Sequence, residues 1–321
     1  SSVTKTVSGK PPVNKTADNV ANHIDNKEEL FVMFSLDVDP DYNRAVRGRI
    51  DALSYPPEKG LVKIDAAHRG LVETLQLLEY LGDIPASLFF EARTARLLAE
   101  KGPEDLKSLT ACHEIGCHSL RHEDFLGTTS GIPISRSQAQ EIISESMDIL
   151  NGIFQRKITG FRAPYLRINR ELLSLLGEMG FRYDSSLIND CIRPFYMKPV
   201  SLWELTVASL RADSGRRIIS YLHPVFTGKV DTEEYIWAVG TLARRVKGGL
   251  FILAFHPWEL FAGHSGEALS AEDSRQRINR LSDVLKGLKA RPGLRFVHPG
   301  QYLDMHGEHF SGYPKIHEVR A

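Results

Sequence analysis

Two carboxylates, a pair of histidines, an arginine and one further histidine carry the chemistry open to this sequence. Asp37-Val38-Asp39 places two acids two residues apart. The stretch Cys112-His113-Glu114-Ile115-Gly116-Cys117-His118-Ser119-Leu120-Arg121-His122 holds three of the twelve histidines, with His118 and His122 four apart. On a helix or a tight helical turn that spacing stacks both imidazoles on one face. Two neutral imidazoles so placed can share one transition-metal ion. The pair alone says little, because roughly half such a pair is expected by chance at this histidine content. Asp37 and Asp39 supply the company it needs: strand residues two apart point to one face, so both acids can converge on one site.

The elements that must position these groups are legible as apolar runs. Residues 31–38 (FVMFSLDV) and 250–255 (LFILAF) are continuous apolar runs, the mark of strands buried on both faces. Further strands are expected at 86–91, 114–119, 158–162, 181–185, 202–207, 217–222 and 294–297. Helices are expected at 66–81, 92–101, 135–154, 169–179, 232–246 and 272–288. Asn169 caps one of these helices and Gly180 stops it. The stretch 42–60, with Gly48, Pro56 and Pro57, reads as a long loop. Strands separated by helices imply parallel strands with right-handed crossovers. Asp37, His118, Arg162 and His256 all fall at or just after the C-terminal end of an expected strand, the face where a parallel α/β barrel collects its catalytic groups.

Composition narrows the function. Forty basic and forty acidic residues give a formal charge of zero, so nothing marks the chain for nucleic acid or an acidic membrane surface. No apolar run approaches the roughly 20 residues that span a bilayer. Three cysteines, Cys112, Cys117 and Cys191, give no disulfide framework and favour a reducing compartment; a processed secreted or membrane-tethered form stays open, since the sequence begins at Ser1. Residues 1–29 are polar and read as a flexible tail, 30–305 as one catalytic domain and 306–321 as a second tail. Self-association is left open.

Asp37-Val38-Asp39, His118-x-x-x-His122, Phe161-Arg162-Ala163-Pro164-Tyr165 and Phe255-His256-Pro257 occur in this order. Between them lie Ile84-Pro85-Ala86-Ser87-Leu88-Phe89-Phe90 and Gly180-Phe181-Arg182-Tyr183-Asp184-Ser185-Ser186. With these motifs the chain resembles the polysaccharide deacetylases (carbohydrate esterase family 4, the chitooligosaccharide deacetylase homology domain) from residue 30 to about residue 303. The resemblance implies an irregular (β/α)7 barrel. Most members have adjacent aspartates in the first motif. Here Val38 separates them, as in the branch with Asp-x-Asp or Asp-x-Glu, which includes peptidoglycan deacetylases, allantoinase-like proteins and cyclic-imide hydrolases.

By that resemblance Asp39, His118 and His122 would hold one divalent metal ion, zinc by default, with positions left for water and substrate. Cys112, Cys117, His118 and His122 are too crowded for a zinc finger, whose ligand pairs stand roughly a dozen residues apart. Asp37 would be the general base, Arg162 its ionic partner, and the Tyr165 backbone N–H a donor to the oxyanion. His256 would protonate the departing amine; His223-Pro224 has the same form after a less buried strand and is the weaker candidate. Asp184, Trp203 and Glu204 lie where a supporting motif is expected, and one of the acids would orient His256. His113, His264, His298, His306 and His309 are left as structural or surface residues. The activity implied is metal-dependent removal of an N-acetyl group from an amino sugar or glycan. The alternatives are the same machinery on another amide, such as a formamido sugar on a lipid carrier or a cyclic imide or ureide, and a degenerate carbohydrate-binding protein.

Overall fold

Strand β1 (Leu30–Val38) is buried along its whole length, so the sheet must pass on both sides of it. In the computed structural model, which describes residues 29–40, 46–52, 58–101, 105–211 and 215–306, β1 has parallel neighbours on both sides. The chain runs β1, α1 (Glu58–Tyr80), β2 (Ala86–Phe90), α2 (Ala92–Lys101), α3 (Leu106–Leu109), β3 (Glu114–Cys117), α4 (Arg136–Phe154), β4 (Gly160–Phe161), α5 (Arg170–Glu178) and β5 (Tyr183–Asp184). It continues through β6 (Ile188–Asn189), β7 (Phe195–Met197), β8 (Leu202–Glu204), β9 (Val207–Arg211), β10 (Arg217–Ile219), α6 (His223–Phe226), α7 (Thr232–Arg245) and β11 (Leu250–Phe255). It ends with α8 (Ala271–Lys289), β12 (Leu294–Phe296) and α9 (Pro299–His306).

The main sheet has the order β11-β1-β2-β3-β4-β5-β8-β7, with β12 alongside the start of β1. Every pairing from β11 to β8 is parallel and only β7 runs antiparallel. The sheet curls into a half-barrel. Between its ends a small sheet, β10-β9-β6, is set against β11 through the parallel bridge Tyr221↔Ala254. This is the irregular (β/α) barrel expected from the resemblance.

Alternation along β1 divides its side chains between two layers. Leu30, Val32, Phe34, Leu36 and Val38 join the core beneath the helices. Phe31 and Met33 join a smaller cluster inside the curl with Phe89, Tyr183, Trp203 and Tyr302. Ser35, Asp37 and Asp39 continue that inward row and are also buried. The apolar row thus turns polar where β1 reaches the end that holds the site.

The helix caps act as the sequence indicates. Ser135 forms a capping box with Gln138 at the start of α4, and the Asn169 side chain accepts from the Leu172 N–H. Gly180, at φ 84°, supplies the left-handed turn after α5. Several expectations are corrected. Helix α1 starts at Glu58, eight residues before the expected start at 66, so the loop expected over 42–60 is shorter; residues 41–45 and 53–57 lie outside the described residues. The strand expected over 202–207 is two, β8 and β9, which belong to different sheets. Helix α9 reaches His306, which stacks on Tyr302, so the chain is ordered through the first residue of the expected second tail. The expected tail residues 1–28 and 307–321, and His309 with them, lie outside the described residues.

Candidate active site

Asp37 sits on the inner face of β1 and meets a cation from β4. Arg162 Nη1 donates to Asp37 Oδ1 at 2.6 Å and to Ser35 Oγ at 3.1 Å. The rest of the guanidinium is equally well engaged: Nε donates to the Ser185 carbonyl and Nη2 to Ser185 Oγ, each at 3.0 Å, and the plane lies 4.2 Å over the Phe89 ring. Tyr221 OH donates to Asp37 Oδ2. Burial pushes the Asp37 carboxyl up, but Arg162, His118 and His256 more than offset it, and the net shift is downward.

His118 follows β3 directly and is fixed from both sides. Its N–H donates to the Phe90 carbonyl at 2.8 Å, and its Nδ1 lies 2.7 Å from the Arg162 carbonyl. A carbonyl only accepts, so Nδ1 carries a proton and Nε2 faces Asp39 Oδ2 at 3.1 Å. His122 Nε2 approaches the same oxygen at 3.4 Å. With Nδ1 protonated, neutral His118 turns an electron pair toward the Asp39 carboxylate. That arrangement requires a bound cation or an added proton, and it fits a two-histidine, one-carboxylate metal site. Burial raises the Asp39 carboxyl, while His256, His118 and His122 bring it well below its ordinary value.

The strand expected over 114–119 ends at Cys117, and the helical geometry that would stack His118 and His122 is not used. Ser119 and His122 both take left-handed backbone angles, φ 63° and 58°, in a loop rather than on a helix face. Buried Glu123 shapes this loop, with Oε2 accepting from Ser119 Oγ and from the Leu120 and Arg121 N–H groups. The two imidazoles still meet, 5.1 Å apart and edge to face. Tyr165 packs its ring 4.5 Å from His122. Tyr165 and Leu166 are consecutive left-handed residues, φ 59° and 55°, in the turn after Pro164; non-glycine residues in that region cost about 1–3 kcal/mol each, and such strain collects at functional sites.

His256, one residue past β11, lies between Tyr221 and Trp258, with ring separations of 5.5 and 5.4 Å. Its Nε2 is 3.9 Å from Asp37 Oδ2. Its Nδ1 lies 3.3 Å from Glu259 Oε2, the oxygen that also accepts its backbone N–H at 2.9 Å. Glu259 was missed, although the His-Pro-Trp-Glu spacing puts an acid at the third position of a capped turn and so carried a local signal. Burial pushes the Glu259 carboxyl up, but hydrogen bonds from His223 and His256 and the charge of His256 hold it down at about 2. One of Asp184 and Glu204 was expected to orient His256, and the contact is made by Glu259 instead. Those two acids form a buried pair that receives the Ser186 and Leu187 N–H groups. They fix the segment from which Ser185 holds Arg162, and Trp203 packs at a tilt against Tyr196 in the inner cluster. His223 does not stand apart, since its Nδ1 lies 2.9 Å from Glu259 Oε1.

A cavity of about 190 Å3 is lined by Asp37, His118, His122, Tyr165, Tyr221 and His256. Among the expected residues, Asp39 is buried behind His118 and His122, and Arg162 is buried behind Asp37. Tyr221 was not anticipated, since it comes from the irregular segment beside β11.

Residues 67–183 match the sequence model of the polysaccharide deacetylase family. That span contains His118, His122, Arg162 and Tyr165, while Asp37, Asp39 and His256 lie outside it. The chain is 25% identical to a peptidoglycan deacetylase of Helicobacter pylori over 190 residues, 58% of this chain and 59% of that relative's length. In structure it is similar to a polysaccharide deacetylase from Mycobacterium smegmatis, with TM-score 0.63, 21% identity and coverage of 90% of this chain and 96% of that one. It is also similar to the Puue allantoinase, with TM-score 0.63, 16% identity and coverage of 90% and 93%. Both structural likenesses bear on the fold.

Proposed function

We propose that this chain, of the polysaccharide deacetylase family, is a hydrolase that removes the N-acetyl group from an amino sugar of a glycan. One observation carries the reading: Asp37, His256, His118 and His122 border a single cavity from different strand ends, with Asp39 directly behind the two histidines. Pure binding needs neither a base nor an acid, so this convergence favours an enzyme over a degenerate carbohydrate-binding protein.

Asp39, His118 and His122 would hold a divalent ion, zinc by default. Such an ion supplies Lewis acidity toward a water and toward the acyl oxygen. Asp37 accepts the proton of the attacking water. Arg162 and Tyr221 keep Asp37 aimed and ionised, which also makes it a weak base, so it depends on a water already acidified by its surroundings. The Tyr165 turn, fixed in its left-handed form, presents backbone at the cavity wall where the developing oxyanion needs a donor. His256 delivers a proton from Nε2 to the departing nitrogen. Glu259 holds Nδ1, so Nε2 points at the cavity, and the flanking rings of Tyr221 and Trp258 limit its rotation.

The Helicobacter pylori relative's name makes peptidoglycan N-acetyl sugars the first substrates to test. The decisive measurement is release of acetate from peptidoglycan and from N-acetylated oligosaccharides, run beside formate release from a formamido sugar and ring opening of a cyclic imide and a ureide. Acetate release that vanishes in Asp37→Asn supports the reading. Turnover of the imide or ureide alone would move the same machinery to small cyclic amides, and no turnover of any substrate after metal loading would refute it.

A further inference from the structure

On the other side of Trp258 from the Asp39–His118–His122 group lies a second convergence of metal-binding side chains. His223 opens α6, Glu259 closes the turn after β11, and His264 lies in the loop beyond it. Glu259 Oε1 is 2.9 Å from His223 Nδ1. His264 Nε2 is 3.0 Å from His223 Nδ1 and 3.1 Å from His223 Nε2, with the two rings 4.0 Å apart. Such nearly equal distances are not those of a single N–H···N bond, which is aimed at one lone pair. All three residues offer a donor atom within 4.8 Å of the others. Donors bound to a first-row ion at about 2.0–2.2 Å stand roughly 3.0–3.5 Å from one another; the His223–His264 approaches of 3.0 and 3.1 Å and the Asp39 approaches of 3.1 and 3.4 Å fall in that range, and the His223–Glu259 approach of 2.9 Å lies just below it.

We propose that His223, Glu259 and His264 form a second site for a borderline divalent ion of the zinc or cobalt type. The donor chemistry is two imidazoles and one carboxylate, the set that suits such ions. The carboxylate is buried and already shaped by its neighbours, while His264 is exposed and gives an ion a route in from solvent. Glu259 spans the two regions: Oε1 faces this site and Oε2 holds His256. The inference stands independently of the deacetylase reading, because neither His223 nor His264 has a part in that reaction.

The test is metal stoichiometry on the full chain. Protein stripped with a chelator and then dialysed against zinc should hold about two ions, falling to about one in His264→Ala and to about one in the His118→Ala/His122→Ala double variant. Cobalt bound to the double variant should show visible d–d absorption, lost when His264→Ala or His223→Ala is added. His264 is exposed, so its replacement leaves the fold intact, checked by circular dichroism. Equal metal content in the wild type and His264→Ala overturns the second site, as does a double variant that binds no ion. Failure of the first site gives a different result, equal content in the wild type and the double variant.

Discussion

Asp37 Oδ2 and His256 Nε2 lie 3.9 Å apart and share Tyr221, but Arg162 holds the one and Glu259 the other, so their losses should be distinguishable. Asp37→Asn keeps the shape of the site and should retain metal, while turnover falls about a hundredfold or more. Metal content and kcat measured on one preparation check this. If Asp37→Asn sheds the ion and Asp39→Asn keeps it, the two aspartates have exchanged roles. His256→Ala should depend on the leaving group. A sugar amine is strongly basic and leaves only when protonated, so amide cleavage should fall by about two to four powers of ten. An aryl acetate ester, whose leaving group needs little help, should lose far less. Equal losses on the two substrates would take the acid role from His256.

Two glycines test how the elements carry the site. Gly70 on α1 faces the turn after His256 at such close range that a Cβ would sit 1.8 Å from the Pro257 carbonyl oxygen. That oxygen is backbone and cannot swing aside, so Gly70→Ala must push α1 off the turn. Overpacking of this kind costs about 1–3 kcal/mol, a melting-temperature drop of about 1.5–4.5 °C in a chain of this size. Because the displaced turn holds His256 and Glu259, amide turnover should fall more than ester turnover, a weaker copy of the His256→Ala pattern. Gly152, in the last turns of α4, has nothing within 4 Å of its Cβ position. Gly152→Ala should therefore stabilise by about 0.5–1 kcal/mol. Equal thermal shifts in the two variants would refute the close-approach argument.

Stability of the whole molecule should respond to pH through buried carboxylates of opposite sign: Glu259 on one side, and on the other the Asp184–Glu204 pair together with Glu91, which burial pushes up to about 8. Glu259 is lowered from 4.5 to about 2. Its stabilisation, on the order of 3 kcal/mol, is present above about pH 4.5 and lost as pH falls toward about 2. Glu259→Gln should flatten that acid limb. The Asp184–Glu204 pair behaves the other way. Burial and the facing carboxyl push Glu204 well above 4.5, and burial pushes Asp184 up to about 6. The folded chain therefore retains protons that the unfolded chain has lost, and stability declines as pH rises past about 4.5. Glu204→Gln should remove the part of that decline due to the pair and leave the part due to Glu91. Urea midpoints measured from about pH 3 to pH 8 decide both, and a Glu204→Gln curve parallel to the wild type would sink the shared-proton account.

The sequence by itself determined the strand that starts the site and the side its acids face. Alternation along 31–39 puts Asp37 and Asp39 in one row because a strand repeats every two residues, and that holds whatever the strand packs against. It also determined the helix caps at Ser135 and Asn169, which depend on neighbours three residues away. Tertiary structure alone decided what surrounds the acids. Arg162 and Tyr221 reach Asp37 across 125 and 184 residues of chain, separations over which no local pattern carries information. The left-handed loop of His118 and His122 follows from Glu123 accepting three hydrogen bonds, a cause that an i, i+4 spacing cannot distinguish from a helix. His223 read in sequence only as a weaker copy of His256 and His264 as a surface residue; they meet beside Glu259 only because the segments after β10 and β11 pack together. Periodicity encodes which side chains are buried, while partners across the fold are set by how the strands pack and register.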